Sequence, residues 1–252
     1  MELSVVSIIL IVPLFFVVAF LYSSVGHGGA SGYLAVLSFF AASSLEMSTT
    51  ALLLNIIVAG IASVTFMRAH HFSSKLAFPF IISSIPMAFL GGMLNISRTL
   101  YGLLLAFVLA LAAIRLAIEF DSTRGNEQEI SSPQIPVALF AGAVIGLLSG
   151  IVGVGGGIFL SPLIMLMRWG TAKQTAAVSA VFIVVNSIAG ILGRSLNHSL
   201  AVGNLLPFLL VTIIGGYIGS RFGAQRFSNL VLRRLLAIVL VIAAAKLFLI
   251  AK

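Results

Sequence analysis

The sequence predicts an all-α polytopic membrane protein of two homologous halves in an inverted repeat. Eight long spans are expected, plus two short helices that each follow a glycine-rich turn. Three observations carry this expectation. The 252 residues are 60% hydrophobic and 8% charged, where a soluble domain carries about a quarter charged residues. Apolar runs of membrane-spanning length recur along the chain. A series of residues from the first half also returns, in order, in the second.

A crossing needs roughly 17–25 apolar residues. Taken in order, Ser4–Leu21, Thr49–Met67, Leu76–Leu94, Leu100–Ile118, Pro136–Val152, Thr175–Leu192, Val202–Ser220 and Leu230–Ile250 qualify. The first run follows Glu2 with no Lys or Arg and no small-residue cleavage site, so it reads as a retained span rather than a signal peptide. Ser31–Ala42 and Ile158–Met167 are shorter, and each comes directly after a glycine cluster. The one long polar stretch, "DSTRGNEQEISSPQ" (121–134), reads as a linker. It divides the chain into a first half (1–120) and a second half (136–252), with 121–135 between them.

The halves match one another. Gly26-His27-Gly28-Gly29 falls on Gly153-Val154-Gly155-Gly156 at an offset of 127, and Phe78–Gly92 falls on Leu206–Ser220 at 128. That second match pairs Pro79 with Pro207 and Gly91 with Gly219; Arg98 falls on Arg226 at the same offset of 128, and Arg115 on Lys246 at 131. Internal duplication is a common build for secondary transporters. If the short pieces are re-entrant, the halves are parallel and the Lys and Arg residues divide 7 against 7 between the faces. If each short piece completes a crossing, the halves are inverted and the division is 10 against 4. Lys/Arg bias sets orientation, so the count favours inversion, with both termini outside.

The net charge of +8 does not indicate nucleic acid, because the cations stand singly or in pairs at the ends of apolar segments. With no cysteine, the chain has no disulfide, thiol nucleophile or thiolate metal site. All six acidic residues, Glu2, Glu46, Glu119, Asp121, Glu127 and Glu129, lie at span ends or in the linker. A carboxylate relay across the membrane is therefore not expected.

The glycine clusters are the candidate site. In hydrocarbon, irregular backbone persists only where it is buried in protein or lines a wet cavity. Glycine permits positive φ and close backbone approach, and the first amides of a following helix lack intrahelical acceptors and attract anions. The expected substrate-binding residues are Gly26, His27, Gly28, Gly29, Ala30 and Ser31 in the first half, and Gly153, Gly155, Gly156 and Gly157 in the second. Polar residues of the spans join them: Thr49, Thr50, Asn55, Ser179 and Asn186. Two helix starts facing each other would make a positive site without a buried lysine. No Gly-Lys-Ser/Thr follows either cluster, so nucleotide binding is not indicated. The scattered pairs Gly91-Gly92 and Gly215-Gly216 read as helix packing.

"GIVGVGGGIFLSPLIMLMRWGTAKQTAAVSAVFIVVNSIAG" (Gly150–Gly190) and its first-half copy "VGHGGASGYLAVLSFFAASSLEMSTTALLLNIIVAGIAS" resemble the sulfite exporter TauE/SafE family over nearly the whole chain. The first copy departs from the pattern. It has His27 in the turn, Ala30 and Ser31 where the second has Gly157 and Ile158, and no proline matching Pro162. The resemblance implies export or uptake of small sulfur oxyanions or organosulfonates across the cytoplasmic membrane.

His27 is the one titratable group near the expected site and would suit proton coupling; its alternative role is a neutral ring bonded to its own turn. His70-His71 reads as solvated loop, not a metal site, and Trp169 as an interface anchor. The expectation is thus a multi-pass transporter in the inner membrane that binds a small anionic substrate and works by alternating access. It needs no cofactor or metal, has no catalytic residues and binds no nucleic acid; protons are a candidate coupling ion and a homo-oligomer is compatible. A passive anion channel is the alternative. An intramembrane enzyme is a weaker one, since His27 beside serines lacks a third member to orient it.

Overall fold

The computed structural model describes residues 5–38, 44–94, 130–197, 206–228, 230–232 and 234–235. Among them there is no strand. The helices are α1 (Val5–Ser24), α2 (Ala30–Ser38), α3 (Ser44–Arg68), α4 (Ser74–Met93), α5 (Ile135–Val152), α6 (Gly157–Leu166), α7 (Ala172–Asn197) and α8 (Leu206–Arg221). A π-helical turn, Phe222–Arg226, follows α8.

Four stretches are long and apolar enough to cross a membrane: Thr49–Arg68, Ser74–Met93, Ile135–Val152 and Ala172–Leu196. They coincide with four of the eight expected runs. The first and seventh runs correspond to α1 and α8. Leu100–Ile118, the linker up to residue 129 and most of Leu230–Ile250 lie outside the described residues. The two short helices form where expected, each beginning one residue earlier than predicted, at Ala30 and Gly157.

Local chemistry sets the element ends. The Ser73 hydroxyl accepts from the Leu76 amide and starts α4. Proline in the first turn starts α5, where its missing N–H costs nothing. α5 stops at Gly153, whose left-handed backbone (φ 76°) is the usual glycine exit from a helix.

The main packing pairs are α4 with α5 and α1 with α8, around a centre where α3 meets α7; α4 also packs on α7 and α8 on α3. The short helices lean on their own halves, α2 on α3 and α6 on α7. Exchanging α1–α4 for α5–α8 leaves this set of neighbours unchanged.

Glycines spaced four apart close the two outer pairs. On α5, a Cβ at Gly142, Gly146 or Gly150 would strike the backbone of Phe80, Ser84 or Ala88 on α4. On α8, Gly215, Gly219 and Gly223 (the last in the π turn) approach the carbonyls of Phe16, Phe20 and Ser24 on α1. Small residues at this spacing let backbones touch where lipid supplies no hydrophobic drive for association.

Several contacts gather loop residues at one end. The Ser131 amide donates to the Arg168 carbonyl at 3.1 Å. The Trp169 ring lies 6.0 Å from that of Phe80, and Leu76 fills the space beside Gly170. Trp169 is therefore turned into the bundle, 5% exposed, and is not the interface anchor its position suggested. The apolar neighbour Phe80 takes the indole that the headgroup region would otherwise hold.

Candidate functional site

The two glycine turns meet in the interior. After α1 the chain turns at Gly26 (φ 77°) and Gly29 (φ 95°); after α5 it turns at Gly153, Gly155 (φ 79°) and Gly156 (φ 78°). Every residue from Val25 to Ala30 and from Val152 to Phe159 is buried. A side chain at Gly26 would collide with the Ala176 carbonyl of α7, so the first-half turn rests directly on a second-half helix.

Asn55 of α3 ties the turns together. Its Oδ1 accepts from the Ala30 amide, the first of α2, at 3.0 Å. Its Nδ2 donates to the Val154 carbonyl, in the opposite turn, at 3.1 Å. Gly28 lets the Asn55 carboxamide approach this closely, since a Cβ there would overlap it. A buried carboxamide with both ends bonded joins backbone from the two halves.

A second link runs through His27. Its Nδ1 lies 3.0 Å from the Val25 carbonyl and its Nε2 3.4 Å from the Ser161 hydroxyl of α6. Ser161 Oγ is in turn 2.7 Å from Ser179 Oγ on α7. The chain His27–Ser161–Ser179 thus crosses between the halves through groups able to donate and accept.

Other polar atoms at the turns have no hydrogen-bond partner among the described residues. The Tyr33 hydroxyl stands over Gly29, about where that glycine's Cβ would lie (3.0 Å), while Ser187 Oγ stands 2.9 Å from the same position at Gly155. Ser149 packs against Gly156, and its Oγ is likewise unpartnered. Buried hydroxyls without partners are costly and rare. Three of them stand beside the two touching turns.

The predicted site residues divide clearly. Gly26, His27, Gly28, Gly29, Ala30, Asn55, Gly153, Gly155, Gly156, Gly157 and Ser179 gather at the junction. Ser31 lies in the first turn of α2 and bonds the Tyr22 hydroxyl at 3.0 Å. Asn186 donates back to the Phe182 carbonyl of its own helix, leaving Oδ1 unpartnered. Thr49 and Thr50 are buried on α3 more than a turn before Asn55, and no described hydrogen bond brings them to either turn.

Three expectations need correction. The start of α2 is not wholly open, because Asn55 already occupies the Ala30 amide. Nor is the region free of formal cations. Arg194 of α7 is 9% exposed, and its Nη2 donates to the carbonyls of Gly150 and Ile151 at 3.1 and 2.9 Å. It sits over Gly153, at the carbonyl end of α5, where a cation is favoured. His71 is likewise not simply solvated, since its Nε2 lies 3.1 Å from the Ala224 carbonyl. No metal-ligating cluster of three or more His, Cys, Asp or Glu occurs among the described residues.

The family model described as sulfite exporter TauE/SafE matches residues 11–247. The chain belongs to the TauE/SafE family. A relative from Sinorhizobium fredii, named "Probable membrane transporter protein y4hK", is 38% identical over 237 residues, covering 92% of this chain and 95% of the relative. No solved structure matches. This TauE/SafE protein is therefore a multi-pass membrane protein of a transporter family, consistent with a role other than catalysis.

Sequence reasoning missed Tyr33, Ser149, Ser161, Ser187 and Arg194. Ser149 and Ser187 were visible in part, each a polar residue in an apolar run beside a singled-out motif. Arg194 was not, because a cation at the end of an apolar run reads first as a topology signal.

Proposed function

We propose that this chain is a secondary transporter of small anions, most suitably sulfur oxyanions or organosulfonates, in the cytoplasmic membrane. The substrate sits near the midplane where the glycine turns meet, held by the hydroxyls of Tyr33, Ser149 and Ser187 and by the amide-rich start of α6. The observation that carries this reading is the single carboxamide of Asn55, which bonds both turns at once. A site built equally from two halves is what alternating access requires. The buried state of both turns favours a carrier over a channel, since an open pore needs a continuous wet path.

The halves are read as an inverted duplication. The exchange-invariant packing supports this, as do contacts that bring the loop before α7 to the start of α4. Parallel halves would separate those two loops by the full bilayer. His27 is the candidate coupling group, with Ser161 and Ser179 as its route between halves.

The test is flux into proteoliposomes across sulfite, thiosulfate, sulfonates and small carboxylates. Saturable uptake with counterflow of a sulfur oxyanion is the expected result. Unitary currents would make the protein a channel, and no flux of any anion would end the reading.

A further inference from the structure

A cavity of about 610 Å³ lies between α3 and α8, and no residue of either glycine turn lines it. Ile57, Gly60, Ile61 and Val64 form its apolar wall on α3, while Arg68, Arg221 and Tyr217 surround its mouth. The α3 residues facing it are not those that face the core. Val58, Ala59, Ala62 and Phe66 are fully buried on the other side of the helix, and Val64 is 48% exposed. The groove therefore opens outward, away from Asn55.

Three features mark it as a binding groove. First, a Cβ added at Gly60 would meet nothing within 4 Å. The four-spaced glycines of α5 and α8 face a neighbouring helix; Gly60, an unfavourable residue in mid-helix, leaves a notch unused by described contacts. Second, the mouth is cationic: Arg68 and Arg221 line it, and no carboxylate stands among the lining residues. Third, Arg221 is held in place: its Nη1 donates to the Tyr217 hydroxyl at 2.8 Å, with the guanidinium 5.9 Å from that ring. Ser220 donates to Thr65, a lining residue, at 3.2 Å and joins α8 to α3 beside the groove.

We infer that this groove binds an anionic phospholipid, with its phosphate between Arg68 and Arg221 and an acyl chain laid along Ile57, Ile61 and Val64 over the Gly60 notch. A charged mouth continuous with a greasy wall fits an amphiphile. A small hydrophilic anion would leave that wall unused. Basic pockets between spans on the positively charged face are where such headgroups are recognised.

The experiment uses the full chain in nanodiscs and in detergent, with native mass spectrometry after adding phosphatidylglycerol or phosphatidylcholine. Wild type is expected to retain phosphatidylglycerol at least tenfold more strongly. Arg68→Gln with Arg221→Gln should abolish that preference, Arg68→Lys with Arg221→Lys should keep most of it, and Gly60→Leu should weaken lipid retention without touching either charge. Elution and helical circular dichroism confirm that each variant is folded. Equal retention of both lipids by wild type overturns the inference, as does a preference that survives loss of both arginines. Displacement of the effect onto free sulfite, or a change in oligomeric state with lipid retention unaltered, overturns it in favour of a solute vestibule or a self-interface.

Discussion

Asn55 concentrates more of the site than any other side chain, because two separate backbone groups depend on it. Asn55→Ala would leave the Ala30 amide and the Val154 carbonyl without partners, each costing about 1–3 kcal/mol where water cannot replace the bond. A thermal shift assay should show marked destabilisation, together with at least a tenfold loss of flux. Ser149→Ala with Ser187→Ala tests a different property. These hydroxyls bond nothing described, so removing them should leave the melting temperature unchanged or slightly raised while raising the substrate KM about tenfold or more. Unchanged KM would sink the assignment of the site. Gly156→Leu is a poorer test, because φ is 78° there and a Cβ would lie 2.8 Å from Phe182; lost flux would not separate binding from folding.

At the scale of elements, the outer helix pairs rest on glycine. Gly146→Leu on α5 would drive a side chain into the Ser84 backbone of α4. It should destabilise by several kcal/mol, seen as aggregation or loss of the folded fraction in size-exclusion chromatography. A Cβ at Gly60 on α3 meets nothing within 4 Å, so Gly60→Leu should leave the fold intact when scored beside it in one experiment. The element boundaries show how far the sequence could be read. Apolar length and the flanking glycines located the described helices, because burial in lipid leaves few other solutions for such runs. Helix packing was legible for Gly91-Gly92 and Gly215-Gly216, but the four-spaced Gly142, Gly146 and Gly150 emerge only from the structure, as does the helix they face. Nor could sequence show that Trp169 points inward, since its partner Phe80 is 89 positions away.

For the whole molecule, the orientation of the halves makes a sharp prediction. Since the chain has no cysteine, single-cysteine variants need no background removal. Inverted halves place Lys75→Cys and Lys173→Cys on the same side, both blocked by the same impermeant thiol reagent; parallel halves place them on opposite sides. The ordered offsets are what the sequence offers for a repeat. The meeting of the turns was not legible there, because it depends on Asn55 reaching across 99 positions to Val154. Spacing along a chain carries no information about which polar group will satisfy a distant carbonyl.

Where α4, α5 and α7 converge, Gly92, Gly150 and Gly190 bring main chain against main chain: a Cβ on Gly92 would run into Gly190, one on Gly150 into Ala88, and one on Gly190 would stand 3.6 Å from the Gly150 Cα. Glycine-lined contacts of this kind have no interlocking side chains. Interlocked leucines resist rotation in steps, whereas smooth surfaces this close can pivot without first disengaging. If one half swings against the other, this is the natural bearing, and a single methyl group there would act as grit.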